Sequence, residues 1–219
     1  MILAAGRGER LRPLTDTTPK PLLKAGEKRL IEYHLFNLAQ AGFEEVVINV
    51  AWLGQQIMSA LGDGSKYNLK IIYSNERNQM LETGGGIYHA LPLLGEAPFL
   101  VVNADVWTDY PLAKLYDFPL EDKAHLVLVN NPGHHALGDF ALDSGRLVES
   151  GDKLLTYSGL GVYSSEFFVN YQPGKYPLAP MIKAYIVENQ ISGELFSGQW
   201  ADIGTRQRLN DLNVFLSHI

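Results

Sequence analysis

Two aspartates, a glycine-spaced loop and a cluster of cations are the residues here whose types and spacing could do chemistry. Leu3-Ala4-Ala5-Gly6-Arg7-Gly8-Glu9-Arg10-Leu11-Arg12-Pro13-Leu14-Thr15 places an apolar run directly before two closely spaced glycines. Such glycines let backbone N–H groups close on phosphate oxygens. A dinucleotide fingerprint would need a third glycine where Leu11 stands, and Pro13 prevents the helix that should follow. The Gly-Lys-Ser/Thr ending of a P-loop is absent too. The segment therefore reads as a phosphate loop of a third kind, or as a plain turn. Arg12 and Lys20, the latter set between Pro19 and Pro21, add charge. Arginine clamps phosphate bidentately and lysine acts as a mobile point charge. Together they could neutralise the charge that develops in phosphoryl or nucleotidyl transfer; surface bases in a proline-rich turn are the plainer alternative.

Asn103-Ala104-Asp105 ends a second apolar run, 99–103. Ligands of open α/β sheets sit outside the carboxyl ends of the strands. Gly6 and Asp105 each follow such a strand, so both are expected at one edge. A carboxylate there, facing a phosphate loop, suits Mg²⁺; a turn or helix cap is the alternative. Asp202, in Trp200-Ala201-Asp202-Ile203-Gly204-Thr205, stands in an otherwise apolar strand where an unpaired charge is costly. A metal, a basic partner or an exposed edge would each resolve that cost. Leu81-Glu82-Thr83-Gly84-Gly85-Gly86 precedes a helix, and its glycines would allow close backbone approach to something flat or anionic. His134 and His135 share a loop with no evident further ligands, which favours a surface or substrate-gating role over zinc. The sequence has no Gly-x-Ser-x-Gly elbow.

The charge is unevenly distributed. The 219 residues carry a net −6, yet residues 7–29 hold seven Lys and Arg against three acids, a local +4 that leaves −10 elsewhere. A concentrated positive loop on an acidic chain suits a small polyanion; a nucleic-acid binder more often shows a broad basic face. Zero cysteines exclude disulfides, thiolate metal sites and cysteine nucleophiles. Apolar runs such as 97–102 have strand length, short of the roughly 18–20 residues that cross a bilayer. No basic segment followed by an apolar one opens the sequence, so a cytoplasmic protein is expected.

The elements that must position these residues follow from periodicity. Strands are expected at 1–5, 46–51, 69–73, 99–103 and 125–129, and helices at 29–41, 53–61, 85–94 and 112–118. Residues 6–28 and 75–83 read as loops. This alternation implies βαβ crossovers and an α/β fold, Rossmann-like, with a mixed, mainly parallel sheet flanked by helices. Short pieces at 140–142, 146–149, 154–157 and 161–163 read as a small antiparallel addition. Helices at 165–171 and 179–188, strands at 191–196 and 199–203, and a closing helix at 205–217 complete the chain.

The glycine-loop segment with Pro19-Lys20-Pro21 resembles the signature of the sugar-1-phosphate nucleotidyltransferase family, and 81–86, 103–105 and 200–205 follow in that family's order. Within it, Ala51-Trp52-Leu53-Gly54-Gln55-Gln56-Ile57 and Asn131-Pro132-Gly133-His134-His135 are similar to the branch that uridylylates N-acetylmuramic acid 1-phosphate in cell-wall recycling. The resemblance implies attack of a sugar-phosphate oxygen on the α-phosphorus of UTP, with pyrophosphate leaving. It further implies Mg²⁺ on Asp105 and Asp202, Arg12 at the β/γ-phosphates and Lys20 at the reaction centre. Ala5, Gly6, Gly8, Thr83 and Gly84 would bind the nucleotide, and Gly138, Glu149 and Gly159 the sugar. The implied partners are UTP and a sugar 1-phosphate, with no nucleic acid and no membrane. One domain over 1–219 is expected, its nucleotide-binding half about 1–110 and its sugar-binding half about 111–219. That length leaves no room for the C-terminal β-helix of larger relatives, so a monomer is expected. Another sugar 1-phosphate (glucose or mannose), phosphocholine with CTP, or a non-catalytic nucleotide-sugar regulator are the alternatives.

Overall fold

The computed structural model describes residues 1–76 and 79–218. Its first half comprises β1 (Ile2–Leu3), α1 (Leu14–Thr17), β2 (Lys24–Ala25), β3 (Lys28–Arg29), α2 (Leu30–Gln40), β4 (Glu45–Val50), α3 (Gly54–Leu61), β5 (Lys70–Asn75), α4 (Glu82–Leu94), β6 (Phe99–Asn103) and β7 (Val106–Thr108). There follow β8 (Ala124–Val129), β9 (Ala141–Asp143), β10 (Arg146–Val148), β11 (Thr156–Tyr163), α5 (Leu178–Val187), β12 (Ile191–Phe196), β13 (Trp200–Asp202) and α6 (Arg206–Leu216).

Nine strands form one sheet in the order β5-β4-β1-β6-β11-β8-β12-β10-β9. The β5-β4-β1-β6 portion is parallel throughout, and β12 runs parallel to β8. Antiparallel pairing enters through β11, between β6 and β8, and through β9 and β10 at the far edge. Two small antiparallel sheets, β2–β3 and β7–β13, stand apart. This is the expected mixed α/β architecture, with β1 and β6 adjacent so that Gly6 and Asp105 leave the same edge.

The period of two along each central strand divides the core between the two faces of the sheet. Val46, Ile48 and Val50 of β4 pack with Ile31, Leu35 and Leu38 of α2 and with Ile57 of α3. Val47 points the other way, toward Ile87 of α4, in a cluster that includes Met181 and Ile182 of α5. Each fully buried aliphatic side chain of this kind contributes about 1.5–3 kcal/mol. A third cluster joins Leu209 and Leu212 of α6 to Leu11, Leu23 and Trp107, and so fixes α6 beside the glycine loop. Among the described residues no helix is long and apolar enough to cross a membrane.

The differences from the sequence expectations have local causes. Residues 6–28 are not structureless: turns of 3-10 helix at Glu9–Leu11 and Lys20–Leu22, α1 and the β2–β3 hairpin subdivide them, with each proline at a segment boundary or in a first turn. The pieces at 154–157 and 161–163 are one strand, β11, whose register shifts between Tyr157 and Leu160 at Gly159 (φ +82°). The helices expected at 112–118 and 165–171 are single 3-10 turns, Leu112–Leu115 and Ser165–Phe168. Helix α4 starts at Glu82, before Gly85. The loop expected at 75–83 includes Arg77 and Asn78, which lie outside the described residues.

One core residue makes stability depend on pH. His34 of α2 is buried, its Nε2 has no hydrogen-bond partner, and burial pushes its pKa down to about 4. The unfolded chain takes up a proton below about pH 6.5 that the fold refuses, so stability falls as pH drops from 6.5 toward 4, by up to about 3 kcal/mol. Urea midpoints at pH 7.5 and 4.5 check this. His34→Leu is expected to lose part of the acid-dependent decline, and an unchanged decline would contradict the assignment.

Candidate active site

A cavity of about 460 Å³ opens at the carboxyl ends of β1 and β6. Leu3 to Gly6 and Asn103 to Asp105 form its floor. Gly8, Arg10 and Lys20 form one wall; Glu82, Thr83 and Lys175 stand opposite. The parallel β1–β6 pairing therefore delivers the glycine loop and Asp105 to one place.

The loop is braced from within. Gly8 has φ +68°, and a Cβ there would lie 2.9 Å from Thr15 Cγ2 and 3.3 Å from Lys20 Cβ, so no side chain fits. Thr15 Oγ1 donates to the Gly8 carbonyl at 2.9 Å. The Arg7 guanidinium lies over the Trp52 ring, 3.8 Å from its centroid, and donates to Thr15 O and Asp16 Oδ1, each at 2.8 Å. Trp52 Nε1 donates to the same Thr15 carbonyl at 3.0 Å. Arg12 Nε lies 2.9 Å from Asp16 Oδ1, and its side chain is 56% exposed. The hydrogen bond from Arg7 is the foremost cause holding the Asp16 carboxyl below the usual carboxylate range. Arg7 and Arg12 are thus committed to Asp16, and Arg12 stands outside the cavity. Arg10, exposed and without an ion pair or hydrogen bond among the described residues, is the loop arginine that lines it. The 3-10 turn Glu9–Leu11 makes this division: Leu11 enters the core and Arg10 faces the cavity.

Lys20 reaches across and pairs with Asp105 Oδ2; their side chains are 12% and 37% exposed. Asp202 ends β13, which pairs with β7, and the Ile203 N–H donates to the Asp105 carbonyl at 2.7 Å. The two aspartates therefore stand on adjoining segments. The Asp202 carboxylate lines a second cavity of about 280 Å³ with Trp107, Trp200 and Arg208. Arg208 Nη1 donates to its Oδ2 at 2.5 Å, and His134 Nε2 lies 2.8 Å from Oδ1. Its charge in an apolar strand is met by a basic partner. No group of three His, Asp or Glu side chains converges among the described residues. The donor set near the cavity is one or two carboxylates, which fits a hard cation that completes its shell from phosphate oxygens and water.

The glycine triplet has a different basis from the expected ligand approach. A Cβ on Gly84 would lie 2.6 Å from Met181 Sδ, on Gly85 2.1 Å from the Gly174 carbonyl oxygen, and on Gly86 2.7 Å from Glu76 Oε1. Their bareness lets α4 lie against the chain before α5 and against a buried polar pair. Thr83 lines the cavity and accepts the Leu178 N–H at 2.9 Å, whereas Gly84 is buried in the packing.

Sequence reasoning missed that polar pair. Asn49 Oδ1 accepts the Ala4 N–H at 2.7 Å, Asn49 Nδ2 donates to Glu76 Oε1 at 2.7 Å, and Glu76 Oε2 accepts the Leu81 N–H at 2.8 Å. Both side chains are buried and line the cavity, tying the glycine loop to the entry of α4. An asparagine within the apolar run 46–50 was the available signal. The expected sugar residues line neither cavity. Gly159 leaves room for the Asn103 side chain, Gly138 (φ +70°) lies against the Leu154 backbone, and Glu149 is exposed beyond β10. His135 Nε2 lies 3.0 Å from Asp139 Oδ1.

Residues 1–150 match the family described as Nucleotidyl transferase. The chain is 52% identical to N-acetylmuramate alpha-1-phosphate uridylyltransferase of Neisseria meningitidis serogroup B, covering 96% of this chain and 95% of that protein. It is 34% identical to the protein of the same name from Caulobacter vibrioides, covering 94% and 92%. A Bacillus anthracis crystal structure superposes with TM-score 0.88 at 19% identity, covering 100% of this chain and 94% of that one, which shows the shared fold. The chain belongs to the nucleotidyl transferase family.

Proposed function

We propose that this chain transfers UMP from UTP to N-acetylmuramic acid 1-phosphate, giving UDP-N-acetylmuramic acid and pyrophosphate, as part of peptidoglycan recycling. Identity of 52% along nearly the whole of both chains to the Neisseria uridylyltransferase carries the choice of substrates. The cavity agrees with the reaction, because Arg10 and the Lys20–Asp105 pair line it together with Ala5, Gly6 and Gly8.

An oxygen of the acceptor phosphate attacks the α-phosphorus; the bond from that phosphorus to the bridging β-oxygen breaks, and its electron pair leaves with pyrophosphate. No covalent intermediate on the protein is needed, since positioning and charge neutralisation supply the rate. The N–H groups near Gly6 and Gly8 cradle the phosphates, Thr83 and the Asn49–Glu76 pair shape the nucleoside end, and Lys20 exchanges Asp105 for phosphate oxygens. Arg10 takes the β/γ-phosphate role that the family resemblance gave to Arg12. Asp105 and Asp202 would hold Mg²⁺, which when bound neutralises phosphate charge.

Pyrophosphate release from a panel of nucleoside triphosphates crossed with sugar 1-phosphates tests the reading. Turnover is expected to be fastest with UTP and N-acetylmuramic acid 1-phosphate. A preference for glucose or mannose 1-phosphate would overturn the acceptor, and no turnover with any pair would overturn the reaction.

A further inference from the structure

We infer that Arg208 of α6 is a second phosphate-contacting residue, forming with Arg10 a two-guanidinium seat over Gly204 for the pyrophosphate end of the nucleotide. This rests on the proposed uridylyl transfer.

The geometry centres on Gly204, which lines the first cavity. A Cβ there would lie 2.1 Å from Nη2 of Arg208 and 2.9 Å from Nη2 of Arg10, so two cations from distant parts of the chain converge on one point. The Arg208 side chain is 16% exposed and gives its Nη1 to Asp202 and His134, which leaves Nη2 turned to Gly204. Arg10 has no partner of its own among the described residues. Nearby carboxylates are already engaged: Glu9 with Arg7 and Arg12, Asp16 with the same two, and Asp105 with Lys20. Asp202 is engaged by Arg208 and His134.

Like charges held together repel unless an anion lies between them, and the penalty grows where water is partly excluded. Two planar guanidinium groups offer several parallel N–H donors, the pattern that grips phosphate oxygens. Gly204 supplies the room, because any side chain would occupy the point on which the donors converge. Of the species in the proposed reaction, pyrophosphate and the β/γ-phosphates of UTP present two adjoining charged groups, one for each arginine. The seat would then hold the leaving group as its charge develops.

Calorimetric titration of inorganic pyrophosphate into the full chain, with EDTA present, isolates this seat from any bound cation. Arg208→Gln is expected to weaken pyrophosphate binding about tenfold or more, the loss of a charge-assisted hydrogen bond. Arg208→Lys, which keeps the charge without the fork, should recover part of it. Gly204→Ala, which keeps every charge and displaces the flexible arginine ends, should weaken binding too, and it serves if Arg208→Gln folds poorly. The KM for the sugar 1-phosphate should stay within about twofold. Wild-type protein that binds no pyrophosphate, variants that bind it equally well, or a rise confined to the acceptor KM would each overturn the seat. Pyrophosphate is common to every nucleotide donor, so a wrong acceptor in the panel above would leave this titration readable.

Discussion

Asp105→Asn is expected to lower kcat by about three orders of magnitude with the fold unchanged, a loss of several kcal/mol of transition-state stabilisation. Asparagine copies the shape of the side chain, and the position is 37% exposed, so no large packing penalty arises. What disappears is a negative charge at the carboxyl end of β6, and it has two functions. It would draw a divalent cation to the phosphates, and it holds the end of Lys20, which is otherwise 12% exposed, at the cavity floor. Without it Lys20 is left as a buried ammonium lacking its partner and repacks. Two measurements together check the prediction: steady-state turnover, and Mn²⁺ binding followed by the magnetic resonance signal of the free ion. Near-normal kcat would refute both functions. Normal Mn²⁺ binding with a collapsed kcat would assign the effect to Lys20.

How far the site could be read from sequence depended on whether a residue's direction is set by the strand or by the loop. Gly6 and Asp105 were legible because each ends an apolar run, and the parallel β1–β6 pairing then has little freedom over where they emerge. Lys20 was legible from the prolines on both sides. The arginines were not: Arg7, Arg10 and Arg12 lie within one short stretch, and one 3-10 turn decides which faces inward. That turn is fixed by Leu11 in a distant cluster under α6 and by Asp16 one segment later, neither visible in local spacing. The triple glycine invited a ligand reading because bare backbone suits anions. Its actual neighbours, the Gly174 carbonyl, Met181 and Glu76, come from three other segments and are tertiary facts. The same holds for β11, whose halves looked separate because Gly159 interrupts the alternation, although the strand continues through the bulge. The parallel half of the fold was therefore legible nearly whole, while the contacts made by loops were not.

The contrast between neighbouring arginines is the second large expectation. Arg10→Ala should lower kcat/KM for UTP by about 10²–10³-fold, the scale seen when one donor to a developing anion is removed. Arg12→Ala should change it by less than about threefold, because exposed ion pairs of this kind contribute about 0–1 kcal/mol. Arg12 spends its guanidinium on Asp16 and Glu9 at the surface, and Asp16 keeps its bond from Arg7 when Arg12 is gone. Arg10 has no such alternative partner among the described residues, and its side chain lines the cavity. Initial rates with UTP varied at saturating acceptor measure both variants on one scale. If Arg12→Ala proved the more damaging, the loop would have to present its arginines the other way round when nucleotide binds. That would require breaking both Asp16 pairs and withdrawing Leu11 from its cluster, a rearrangement the braces at Thr15 and Trp52 oppose.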